Sequence, residues 1–128
     1  PMTLDYIHEY MDMDVALDTF PYTGGASTAT ALYMGVPVIT LCGETYHAAR
    51  LGASMLTAAG HAEWIADDVR AYERLALRMA EDIARVRLCR EALRAEVEAS
   101  ALMDGASYLS AFASEMERLW AEWGDFVR

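Results

Sequence analysis

The stretch from Asp14 to Leu41 constrains the fold more than any other part of this chain. Asp14-Val-Ala-Leu-Asp18-Thr19 is a short apolar run that closes on polar residues, and it predicts a strand. Phe20-Pro-Tyr-Thr-Gly-Gly25 follows as a loop, punctuated by Pro21 and the glycine pair. Ala26 to Met34 predicts a helix with a small-residue start, and Gly35 suits its C-terminal cap. Val36-Pro-Val-Ile-Thr-Leu41 is short, β-branched and bounded, with Pro37 at its start, where a missing N–H is tolerable. A strand, a helix and a second strand in one tight succession point to parallel pairing, because parallel strands need a crossover connection.

The remaining chain extends this pattern. Residues 3–12 predict a short helix capped by Thr3, with Leu4, Ile7 and Met11 at helical spacing. Gly43-Glu44-Thr45 predicts a turn, and residues 46–59 an alanine-rich helix closing at Gly60. Glu63 to Ala66 supplies a third short strand. Asp67-Asp68 cap a helix to about Glu81. Residues 82–99 read as one Arg/Glu-laced helix, with Arg87 and Glu91 as an i,i+4 pair. After Met103-Asp104-Gly105, Asp104 or Ser107 caps a last helix to about Trp123. Its Tyr108, Phe112, Met116, Leu119, Trp120 and Trp123 share one broad face. The order αβαβαβααα predicts an α/β fold with about three parallel strands. It forms a single partial domain over 1–128, with an α/β part in 1–66 and a helical part in 67–128.

Charge narrows the function. The 128 residues carry Lys+Arg 10 against Asp+Glu 20, a net charge of −10. No lysine is present, and the first arginine is Arg50. Nucleic-acid binding needs clustered cations to displace counterions, so that class is excluded, as is a polybasic membrane-surface segment. No apolar run approaches the ~20 residues of a membrane span. Cys42 and Cys89 form no CxxC or metal-spaced set, and a reducing cytoplasmic setting is expected. The chain begins Pro1-Met2, as a processed or partial chain would.

Chemistry concentrates in the loop between the first strand and the second helix. Ligands of open α/β sheets collect past the carboxyl ends of the strands. A helix N-terminus there offers unpaired N–H groups and a positive dipole end. Gly24 and Gly25 allow close backbone approach, and Ser27 and Thr28 add hydroxyls, which makes a phosphate cradle. The same residues also fit a plain turn in which Ser27 only caps the helix. A second group, Glu44, His47 and Arg50, follows the second strand and could face the same cleft, or could be a capped helix with a surface arginine. His8 and His61 read as surface or boundary residues. No metal-ligand spacing is visible.

The run LDTFPYTGGASTATALYMGVPVITLCGET resembles the C-terminal domain of O-GlcNAc transferase and SPINDLY-type protein glycosyltransferases. Their bacterial branch reads close to LDTFPYNGGTTTCDALWMGVPVVTLPGE. The tail SALMDGASYLSAFASEMERLWAEW resembles the family's closing segment, and the likeness runs from about Leu4 to Trp123. The resemblance implies that the chain is the C-terminal part of a GT-B lobe, with a partial Rossmann-like sheet. It implies transfer of N-acetylglucosamine from a UDP-sugar to Ser or Thr hydroxyls of a protein acceptor, with inversion and no metal cofactor. It places Gly25, Ala26, Ser27 and Thr28 on the phosphate-contacting turn. Thr30 falls where the family often carries an acidic residue on the ribose. His47-Ala48-Ala49-Arg50 resembles the His-Gly-Ala-Arg of bacterial relatives, although the stretch from Gly43 is one residue longer.

Two functions follow. One is the nucleotide-sugar-binding half of a protein O-glycosyltransferase, not expected to be active alone because the catalytic lobe is absent. The other is a degenerate, non-catalytic α/β interaction module. Either would meet a missing acceptor lobe, or a second copy, through the apolar face of the last helix.

Overall fold

The protein is described here by a computed structural model over residues 4–43 and 46–126. The Thr3 cap and Glu44 lie outside the described residues. Three short parallel strands, β1 (Ala16–Leu17), β2 (Val38–Leu41) and β3 (Ile65–Ala66), form a sheet in the order β1-β2-β3. Ala16 pairs with Val38, and Thr40 with Ile65. Seven α-helices surround the strands among the described residues: α1 (Leu4–Glu9), α2 (Ala26–Tyr33), α3 (Leu51–Ala59), α4 (Val69–Glu81), α5 (Ile83–Leu88), α6 (Arg90–Glu98) and α7 (Gly105–Phe126).

Central β2 explains its own β-branched sequence. Val38, Ile39 and Thr40 are all buried. Alternation puts Val38 and Thr40 on one face and Ile39 on the other. Val38 joins Ala31 and Leu32 of α2, Leu56 of α3, and Leu93 and Val97 of α6 in the core. Helix α4 packs on β2 and β3. Burying the valine and leucine side chains among these contributes roughly 1.5–3 kcal/mol each.

Helix ends follow local chemistry. After α2, Gly35 adopts φ +72, its N–H donates to the Leu32 carbonyl at 2.9 Å, and the Val36 N–H donates to Ala31 at 2.8 Å. After α3, Gly60 (φ +89) and His61 repeat that closure on Thr57 and Leu56. Such a double bond needs a left-handed residue, which glycine adopts without strain. Asp68 caps α4, accepting the Ala71 N–H at 2.6 Å. Asp104 caps α7, accepting from Ser107 at 3.0 Å.

Several expectations are corrected. Ile7 and Met11 are exposed, and the first segment is instead anchored by Tyr10, which is buried and bonded to the Tyr6 hydroxyl at 2.8 Å. Residues 46–59 form a 3-10 turn at His47–Ala49 before α3 begins at Leu51. The single helix expected over 82–99 is broken at Cys89 into α5 and α6. Its Arg87 pairs with Asp14 in a two-bond fork at 2.7 and 2.8 Å, not with Glu91. Long-range geometry, invisible to i,i+4 spacing, decides that pairing. This carboxylate titrates below its ordinary range because the Arg87 guanidinium bonds to it. His61 is a half-buried boundary residue, as one of the two expected readings had it, but it has partners. Its ring stacks on Trp64 at 4.1 Å, and its Nδ1 lies 3.1 Å from the Glu63 carboxylate.

Every residue from Gly105 to Trp123 is exposed. The apolar face of α7 is largely solvent-exposed, with Phe112 52% and Trp120 78% exposed. No helix is long and apolar enough to cross a membrane, among the described residues.

Candidate anion-binding site

The glycine loop runs from the carboxyl end of β1 to the start of α2, and its geometry is fixed from below. Asp18 directly follows β1 and is buried. One carboxylate oxygen accepts the Gly24 N–H at 2.7 Å, and the other accepts the Thr40 hydroxyl at 2.8 Å. The Asp18 carbonyl accepts the Tyr72 hydroxyl from α4 at 2.8 Å. Burial, and then the Asp18 charge, push the Tyr72 hydroxyl above its ordinary value.

Thr23 ties the loop to the other side of the site. It is fully buried, and both its N–H and its hydroxyl donate to the Ala48 carbonyl, at 3.1 and 2.8 Å. Its hydroxyl oxygen also accepts the Gly52 N–H at 3.1 Å. Gly52 sits against Asp18: a Cβ there would be 2.4 Å from both the Asp18 carboxylate and the Thr40 hydroxyl.

The two loop glycines have different roles. A Cβ on Gly24 would lie 2.4 Å from the Thr28 hydroxyl and 2.7 Å from that of Ser27. Gly24 therefore provides close packing, and its N–H is already committed to Asp18. Gly25 faces open space and caps α2 without a side-chain hydrogen bond. The first backbone N–H groups of α2 have no intrahelical partner, so Gly25, Ala26, Ser27 and Thr28 carry the donors that remain for an anion. Ser27 is exposed beside them, whereas the Thr28 side chain is buried under the loop. Thr30 donates its hydroxyl to the Ala26 carbonyl at 2.8 Å, one turn back, so only its oxygen lone pairs face outward.

A cleft of about 360 Å³ opens past the strands' carboxyl ends, lined by Phe20, Pro21, Leu41, Gly43, Asp67 and Asp68 among others. His47 and Arg50 are both exposed, and neither lines this cleft; their neighbours Tyr46 and Ala49 do. The only charged side chains on its walls, among the described residues, are carboxylates. Gly24, Gly25, Ala26, Ser27 and Thr28 do not line this cleft either, so an anion at the start of α2 would lie outside it and rely on the backbone dipoles there. A larger groove of about 650 Å³ lies at the opposite edge, where Pro37 enters β2, away from the glycine loop. No three His, Cys, Asp or Glu side chains gather into a cation site among the described residues.

Sequence reasoning found the loop but missed the residues beneath it. Asp18 reads as a polar strand end, Thr40 as a β-former, and Gly52 and Tyr72 as ordinary helix positions. The one available signal was an aspartate closing a strand six residues before a glycine pair.

Comparison with known proteins bears on the fold and the family. Residues 7–112 match the profile of Glycosyl transferase family 41. The chain is 36% identical over 121 residues to the probable UDP-N-acetylglucosamine–peptide N-acetylglucosaminyltransferase SPINDLY of Oryza sativa subsp. japonica. That alignment covers 94% of this chain and 13% of the rice protein. The SPINDLY protein of the same description from Arabidopsis thaliana is 34% identical, over 93% of this chain and 13% of its own length. Among solved structures, a mutant O-GlcNAc transferase of Thermobaculum terrenum superposes with a TM-score of 0.83 at 35% identity. It covers 95% of this chain and 24% of that one. The chain thus spans about an eighth of these curated relatives, and its sheet and helices match part of an O-GlcNAc transferase fold. On the strength of the profile match and the near-complete coverage by these relatives, the chain belongs to glycosyltransferase family 41.

Proposed function

We propose that this chain is the nucleotide-sugar-binding half of a protein O-glycosyltransferase, and that its donor is UDP-N-acetylglucosamine. The donor and the peptide acceptor are those in the names of its SPINDLY relatives. The observation that carries the reading is the uncapped start of α2 at Gly25, aimed from the carboxyl edge of a parallel sheet. In the reaction, an acceptor hydroxyl oxygen bonds to the anomeric carbon as the bond to UDP breaks. The electron pair, and negative charge, leave with the diphosphate. The α2 backbone donors and the Ser27 hydroxyl hold that charge, which is electrostatic stabilisation by preorganised dipoles. In this reading no metal takes part, the base that receives the hydroxyl proton is not on this chain, and transfer needs an acceptor lobe. The protein works in the cytoplasm, where its free thiols Cys42 and Cys89 stay reduced.

The exposed face of α7 is the contact surface of this half, for the acceptor lobe or for a second copy. A second reading, a non-catalytic interaction module, is favoured by Thr30, whose hydroxyl proton is committed within α2, and by the carboxylates on the cleft. Titration with UDP separates the two: the enzyme half binds it at the α2 start, and the module does not.

A further inference from the structure

We infer that Asp18 is a positioning residue, which sets the anion-binding loop through Gly24 and touches no ligand itself. The inference rests on the donor-binding reading above. Asp18 is anchored at four atoms. Its N–H donates to the Ile39 carbonyl at 2.9 Å, its carbonyl accepts from Tyr72, and its two carboxylate oxygens accept from Gly24 and Thr40. The N–H and carbonyl bonds fix it to β2 and α4. The carboxylate then transmits that position to Gly24, the residue before the α2 cap.

Gly52 closes the remaining freedom. With no side chain there, the carboxylate and the Thr40 hydroxyl pack directly on the α3 backbone, and the carboxylate has no room to swing. On the far side Thr23 is held by Ala48 and Gly52. The loop is thus pinned at consecutive residues, Thr23 and Gly24, from two different elements. Because Asp18 takes the Gly24 N–H, the donors left for an anion begin at Gly25 and all belong to the start of α2. Without Asp18 the Gly24 N–H is released, and the loop loses the constraint that aims Gly25.

The carboxylate is negative and lies under a site proposed for a diphosphate, so its presence asks for a reason. Both donors that face it, the Gly24 N–H and the Thr40 hydroxyl, need an acceptor. Asparagine supplies one acceptor, and the Thr40 hydroxyl can turn to accept from the new amide. Alanine supplies none.

The test uses the full chain, UDP as probe, calorimetry for affinity and amide exchange for the loop. Asp18→Asn is expected to keep Gly24 protection and bind UDP within about threefold of the parent. Asp18→Ala is expected to lose Gly24 protection while Leu32 and Leu56 stay protected, with UDP affinity falling on the order of tenfold. Thr40→Val, which keeps the shape and frees one carboxylate oxygen, should fall between them. It carries the comparison if Asp18→Ala does not fold. Unchanged UDP affinity in both Asp18→Ala and Thr40→Val overturns the inference. So does a loss of protection shared equally by Gly24, Leu32 and Leu56. A parent chain that binds no UDP refutes the donor-binding reading instead, and the exchange at Gly24 against Leu32 still decides whether Asp18 sets the loop.

Discussion

A methyl group on Gly24 would sit 2.4 Å from the Thr28 hydroxyl, so the loop and the first turn of α2 are packed backbone to side chain. Gly25, one residue on, has nothing within 4 Å of the same position. This contrast separates stability from binding. Gly24→Ala should lower stability by about 1–3 kcal/mol through overpacking. Gly25→Ala should change it by less than about 0.5 kcal/mol, yet weaken UDP binding, because the methyl occupies the open approach to the donors. Urea melts and calorimetry on the two variants check this. Equal losses of stability in both would show that the loop is not packed as described.

Arg90 is the main cross-link of the helical part. Its guanidinium donates to the carbonyls of Met34 at 3.1 Å, Met11 at 3.2 Å and Met13 at 3.1 Å, and also to that of Tyr10. It therefore joins the end of α2 to the turn after α1. Lysine is a point charge and cannot serve several carbonyls in a fixed fork. Arg90→Lys is expected to cost about 1.5–3 kcal/mol, read as a lower urea midpoint with unchanged slope. A midpoint within error of the parent would remove Arg90 from this role.

Tyr10 gives the protein an alkaline limit. Burial, and then its hydrogen bond with Tyr6, push its hydroxyl from the ordinary 10.0 up to about 12. A group whose value is raised by folding contributes stability that is complete below its unfolded value. That contribution is lost as pH rises through the folded one. Stability should therefore hold up to about pH 10 and fall as pH approaches about 12. Ultraviolet titration of the tyrosines, followed with denaturant melts, should show late titration from Tyr10 and Tyr72, of which the step at about 12 disappears in Tyr10→Phe. A Tyr10→Phe variant with the same alkaline profile as the parent would contradict this.

The face of α7 should drive association of the chain taken alone. Phe112, Met116, Leu119 and Trp120 recur on one side of a helix whose residues 105–123 are all exposed. An apolar surface of this kind marks an interaction site. Sedimentation should show concentration-dependent self-association, which Phe112→Asp together with Trp120→Asp reduces to a monomer with the fold intact. A parent chain that sediments as a monomer at all concentrations would argue against it.

Much of the fold was legible because it is local. The β-branched run Val36–Leu41, the αL glycines Gly35 and Gly60, and the caps Asp68 and Asp104 each act through neighbours within a few residues. The break at Cys89 was not legible, because residues 82–99 keep helical spacing throughout; in the fold, Leu93 and Val97 of α6 enter the core while α5 buries no residue. Arg87 found Asp14 across 73 residues, where no periodicity points. At the site, the glycine loop announced itself. The Asp18–Thr40–Gly52 arrangement beneath it joins three elements, and only the folded chain brings them together. His47 and Arg50 are exposed at a 3-10 turn, and their neighbours Tyr46 and Ala49 line the cleft past the strands.

The central claim is that the start of α2 holds a diphosphate through its own backbone donors and the Ser27 hydroxyl. Its most direct test is a UDP titration followed by backbone amide NMR. The account predicts saturable shifts at Gly25, Ala26, Ser27 and Thr28, with little change at Gly24, whose N–H Asp18 already holds. No shift at those four amides at millimolar UDP, or shifts confined to residues such as Arg78 and Arg85 of the opposite groove, would contradict it.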